Sequence, residues 1–223
     1  MNQENLLSEK KKNLYKWALR LAVFTVFYNI VEGLFSVYFG VKDEALSLLG
    51  FGVDSFVEVI SGIGIWHMLF RIKALGSERD EFEKNALRIT GISFYVLTIG
   101  LIISSVINAA SNHKPETTFW GTVISLISIS TMGLLIYYKM KVGKALSSRA
   151  IIADANCTKT CLYLSIILLA ASIGYELSGF GAFDSLGALL IAYLSFKEGK
   201  EALEKAKTGK ECGCEDNHCK EKI

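Results

Sequence analysis

Asp54 and Glu58, in GFGVDSFVEVISG, and Cys157 and Cys161, in ADANCTKTCLYLS, are two pairs of side chains able to ligate a metal, each spaced i, i+4. On a helix that spacing puts both members on one face, about 6 Å apart along the axis. Both pairs lie inside long apolar runs. An acid at membrane depth is costly and faces protein or a wet cavity rather than lipid, so the acidic pair marks a functional site. Two carboxylates and two thiols from separate helices would make an S2O2 cage, which suits a borderline-soft divalent ion such as zinc or cadmium. Such ligands bind the ion in their deprotonated form, so metal and protons compete for the same atoms. The plain alternatives are a polar seam between helices for the acids and buried apolar packing for the cysteines.

The elements that must position these pairs are membrane helices. The chain has 223 residues, of which 51% are hydrophobic and 21% charged, with a single proline; its mean hydropathy is +0.36. The charges cluster between six apolar runs, at 14–40, 44–71, 85–111, 117–139, 150–175 and 181–200. Each run is near or above the roughly 20 residues that a helix needs to cross the hydrocarbon layer. Lysines and arginines precede the first run, fill the second and fourth connections and follow the sixth, whereas the odd connections carry few. By the positive-inside rule both termini are cytoplasmic. The expected fold is an all-α membrane protein, a bundle of six transmembrane helices in a plasma or inner membrane. A net charge of +2 is the sum of a basic inner face and scattered acids, and gives no reason to expect a nucleic-acid partner.

Three segments are expected: a polar arm over 1–13, the six-helix domain over 14–205, and a cytoplasmic tail over 206–223. No cleavable signal peptide is evident. The tail gathers Cys212, Cys214, His218 and Cys219. In a reducing compartment such a cluster is better suited to capturing metal than to disulfides. Asp154, one turn before Cys157, is expected to support the ligands or line the path to them. Asn29, Glu32 and Asp184 are further polar groups at or near membrane depth, expected beside the ligands or along the ion's path, with Asp184 at the outer mouth either attracting cations or solvated by the interface.

SLLGFGVDSFVEVISG and SSRAIIADANCTKTCLYLS together resemble the transmembrane domain of the cation diffusion facilitator (cation efflux) family. In that family a His or Asp and an Asp, four residues apart, occupy the second helix, and a His and an Asp follow Ala-Asp-Ala in the fifth. The resemblance implies that Asp54, Glu58, Cys157 and Cys161 take the ligand positions, and that two copies form a homodimer. AFDSLGALLIAYLSFKEGKEAL resembles the family's sixth helix. The resemblance runs over roughly 12–205, without the family's usual C-terminal cytoplasmic domain. Replacing imidazole and carboxylate by thiolate shifts the expected preference toward softer ions.

The expected activity is export of a divalent heavy metal, zinc or cadmium, from the cytosol by proton antiport, with no prosthetic group and no enzymatic reaction. No span carries a nucleophile–base pair or a cofactor fingerprint. Two rivals are an importer of a soft ion such as mercuric ion, and a membrane metal sensor that transports nothing. If the tail only captures ions, truncation after Lys210 raises the metal concentration for half-maximal transport and leaves the saturated rate unchanged, an effective-concentration effect. Flux measured across a range of free metal tests this, and a collapsed saturated rate would place the tail in the transport cycle itself.

Overall fold

The computed structural model describes residues 3–72, 81–111 and 114–208. Six α-helices run through them: α1 (Gln3–Lys42), α2 (Leu46–Ile72), α3 (Glu81–Ser111), α4 (Phe119–Leu146), α5 (Arg149–Ser178) and α6 (Ala182–Thr208). No strand occurs among the described residues. Five stretches are long and apolar enough to cross a membrane: Asn13–Lys42, Leu46–His67, Lys84–Asn108, Phe119–Leu146 and Asp154–Ser178. The sequence predicts six. The difference lies in α6, where Lys197, Glu198, Lys200 and Glu201 end the apolar stretch well before the helix stops. The stretch expected as a polar arm is helical from Gln3 onward, as part of α1. Lysine and glutamate, frequent in this stretch, are good helix formers.

The bundle is apolar outside and polar within. Phe27, Leu34, Val96, Val106 and Leu134 are exposed, each at 58% or more, whereas Asp54, Asn29 and Lys139 are 2% exposed or less. A water-soluble bundle would hide the first set and solvate the second. Lipid as the solvent reverses the preference, so the chain is a multi-pass membrane protein.

Successive helices run antiparallel, and α1 packs most extensively on α2, α3 on α6 and α4 on α5. Small residues permit this closeness. A Cβ added to Gly52 would lie 2.7 Å from the Val37 backbone nitrogen, and one on Gly40 would lie 2.6 Å from that of Leu49. Gly91 and Gly199 stand in the same relation across α3 and α6, each with the other's carbonyl oxygen about 3 Å from where a Cβ would be.

At the end holding the α1–α2 connection, Leu48, Phe51, Leu101, Leu168 and Ile191 form the main apolar cluster. Glu116 N–H donates to the Asp43 carbonyl, joining the first and third connections. Asp184 is committed here too. Its carboxylate accepts from the backbone N–H of Leu46 (2.8 Å) and Ser47 (3.0 Å) and from the Ser47 hydroxyl, so a residue of α6 caps the start of α2. Asp184 is 1% exposed and anchors α6 to the start of α2. The opposite end gathers Ala18, Ala22, Val142 and Ile151. Asp184→Ala should therefore destabilise the bundle by about 1–2 kcal/mol, the usual cost of a lost N-cap. Thermal unfolding of the purified chain in detergent checks this, and an unchanged midpoint would show that α2 needs no cap from α6.

Candidate metal site

α2 carries Asp54 and Glu58 on one face, and α5 carries Cys157 and Cys161 on the face turned toward it. All four line one internal cavity of about 60 Å³, which is also lined by Asn29, Thr90, Asp154, Thr160 and Glu198. A volume of that size holds an ion with a few waters. Glu58 is the hub. Its Oε1 lies 2.6 Å from the Cys161 sulfur, and its Oε2 accepts from Asn29 Nδ2 at 3.1 Å. Asp54, one turn earlier, accepts from the Ser195 hydroxyl of α6 at 3.1 Å. Cys161 is 7% exposed and packs against Met132 and Leu135 of α4, which fixes the sulfur's side of the cavity.

The four predicted ligands thus share a cavity but do not form a closed cage. Among the described residues, no three His, Cys, Asp or Glu side chains converge closely enough to hold an ion as they stand. Glu58 and Cys161 are in direct contact, and a shared coordination sphere would also draw in Asp54 and Cys157.

The other predicted residues divide. Asn29 reaches the cavity. Glu32, one turn further along α1, is held outside it by the Tyr28 hydroxyl (2.9 Å) and the Ser55 hydroxyl (3.3 Å), where it links α1 to α2. Asp154 lines the cavity, yet its Oδ1 is paired with the ammonium of Lys139 at 2.9 Å, and Lys139 also donates to Thr158 at 3.0 Å. Sequence reasoning assigned Lys139 to a basic cytoplasmic connection. The structure buries it inside α4 at 1% exposure. The available signal was that Ile136, Tyr137, Tyr138 and Met140 surround it, so an unpaired Asp154 at similar depth demanded a cation. Glu198 was also missed, because KEGKE reads as a solvated helical exit. It accepts from Thr160 of α5 at 3.0 Å and lines the cavity. Cys212, Cys214, His218 and Cys219 lie outside the described residues.

The membrane class given by the fold has matching relatives. The chain is 25% identical over 187 residues to the uncharacterized transporter MJ0449 of Methanocaldococcus jannaschii, covering 78% of this chain and 63% of that one. It is 23% identical over 199 residues to transmembrane protein 163 of Xenopus laevis, covering 89% and 70%. It is likewise 23% identical over 199 residues to the manganese efflux system protein MneP of Bacillus subtilis, covering 82% and 65%. The chain thus spans about two thirds of the length of the curated relatives it matches. No family model matches it.

The buried pair gives a prediction. Lys139→Met strands a carboxylate, and breaking a buried ion pair from one side costs about 3–5 kcal/mol, whereas replacing both partners with apolar residues is often close to neutral. Lys139→Met should therefore lower the thermal midpoint sharply, and Lys139→Met with Asp154→Leu should recover most of it. Equal losses in the single and double variants would mean that the pair does not set stability.

Proposed function

We propose that this chain is a divalent heavy-metal transporter of the cation diffusion facilitator type, exporting zinc or cadmium from the cytosol in exchange for protons. Asp54, Glu58, Cys157 and Cys161 are the ligands of the transported ion. The observation that carries the reading is the meeting of the α2 acids and the α5 thiols at one cavity, with Glu58 and Cys161 in contact. Two relatives are named as transporters, and one of these as a manganese efflux protein, which supports efflux of a divalent metal as the general activity. The thiols favour softer ions than manganese, because thiolate selects zinc and cadmium over ions that prefer all-oxygen sites.

In this reading all six helices span the membrane with both termini in the cytosol, and two copies associate, as the family resemblance implies. The cytosolic ion enters through the end of the cavity bordered by Asp154, Glu198 and Lys205. It displaces protons from the thiols and carboxylates as it binds, and protons arriving from the other side displace it in turn. Each half of the exchange drives the other.

Proteoliposome flux tests the assignment. Cys157→Ser with Cys161→Ser is nearly isosteric, and should abolish cadmium transport while leaving the protein monodisperse, since serine is a poor soft-metal ligand. Glu58→Gln should blunt the acceleration produced by an imposed proton gradient. Unchanged cadmium flux in the double cysteine variant would sink the ligand assignment, and wild-type flux indifferent to the gradient would exclude antiport.

A further inference from the structure

Asn29 is 2% exposed, in the middle of α1, and lines the same cavity as the four ligands. Its amide nitrogen donates to Glu58 Oε2 at 3.1 Å. The bond turns the amide nitrogen toward Glu58 and leaves the amide oxygen to find another partner. That oxygen is buried and has no hydrogen-bond partner among the described residues. A buried amide oxygen left unpaired costs about 1–3 kcal/mol, and the nearby polar chains are engaged elsewhere. Thr25, one turn before Asn29, donates to the Leu21 carbonyl at 2.8 Å, and Tyr28 donates to Glu32. The group is a neutral oxygen on a side chain that lines the cavity of carboxylates and thiols, with nothing among the described residues to accept from.

We infer that the Asn29 side-chain oxygen is a further ligand of the transported cation and sets its selectivity between hard and soft ions. This deepens the transport reading above and rests on it. Amide oxygens are hard donors of the kind that hold manganese and similar ions, whereas thiols favour cadmium. Adding one to a two-thiol, two-carboxylate set broadens a soft site toward zinc and manganese. It brings no charge, so it adds a ligand without further repulsion between acids. It also recruits α1, making the ion a bridge between three helices.

The test is ion binding to the full-length purified chain, measured calorimetrically with manganese, zinc and cadmium, and for cadmium also by its ultraviolet thiolate charge-transfer absorbance. Asn29→Leu should weaken manganese and zinc by about tenfold or more, the scale on which groups around a metal act, and weaken cadmium less. Asn29→Asp keeps an oxygen ligand but cannot donate to Glu58, so it should restore manganese and zinc binding if Asn29 ligates. If Asn29→Asp is as impaired as Asn29→Leu while both remain monodisperse, Asn29 merely holds Glu58 and the proposal falls. Unchanged affinities in Asn29→Leu also overturn it. In that case, a cadmium–thiolate band present in wild type and lost in Cys161→Ser would leave the transport site itself standing. Absence of the band and of all ion binding in wild type would sink both readings together.

Discussion

Polar and ionised groups between lipid-facing helices have only other protein atoms to satisfy them, and each unsatisfied one costs kilocalories where water is absent. The layout of this bundle follows from that constraint. At one end Asp184 takes up the free N–H groups at the start of α2. Toward the other, Lys139 and Asp154 neutralise each other between α4 and α5. Glu58 lies between, drawing donors from α1 and α5. Every one of these contacts joins two helices, so the groups that are most expensive to bury also specify which helices are neighbours. Apolar faces alone would specify much less, because lipid tails compete with leucine on equal terms.

The two i, i+4 pairs were legible in the sequence because helical periodicity is local. A spacing of four puts Asp54 with Glu58, and Cys157 with Cys161, on one face whatever else the chain does. That the two faces meet is a tertiary fact, which spacing cannot supply and which the family resemblance did. The α1–α2 hairpin was equally plain, since only Asp43, Glu44 and Ala45 separate Lys42 from Leu46.

Charged residues near helix ends were the weak point. Lys139, Lys141 and Lys144 look alike as a basic cluster, yet only Lys139 faces Asp154. Lys141 and Lys144, two and five residues further on, point in other directions and stay at the surface, with Lys141 lying over the Tyr137 ring. Charge counting treats such residues as interchangeable votes for topology, whereas burial depends on the angular position of each around the helix. Asp184 stands at the start of α6, where nothing in the local sequence shows which helix its carboxylate will serve. It caps a different one, a partner more than a hundred residues away in sequence. Glu198 is the same case inverted, a cavity residue disguised by charged neighbours that face elsewhere.

The site also sits on a particular seam. α2 is tightly paired with α1 and α5 with α4, while α2 and α5 touch far less extensively. Gly40 and Gly52 close the first pair at backbone distance, and the Lys139–Asp154 bond lies wholly inside the second. Each pair is therefore stiff within itself. Glu58 belongs to one and Cys161 to the other, so their separation is set by how the pairs lean together. A displacement of one pair against the other alters the distance between acids and thiols while leaving the Gly40–Gly52 seam and the Lys139–Asp154 bond intact, at the cost of repacking α1 against α4. In the proposed transport reading, an ion that draws the four side chains inward would close that seam, and its loss would relax it. Side-chain spacing and helix-pair geometry would then be one variable, as holding and releasing a cargo requires.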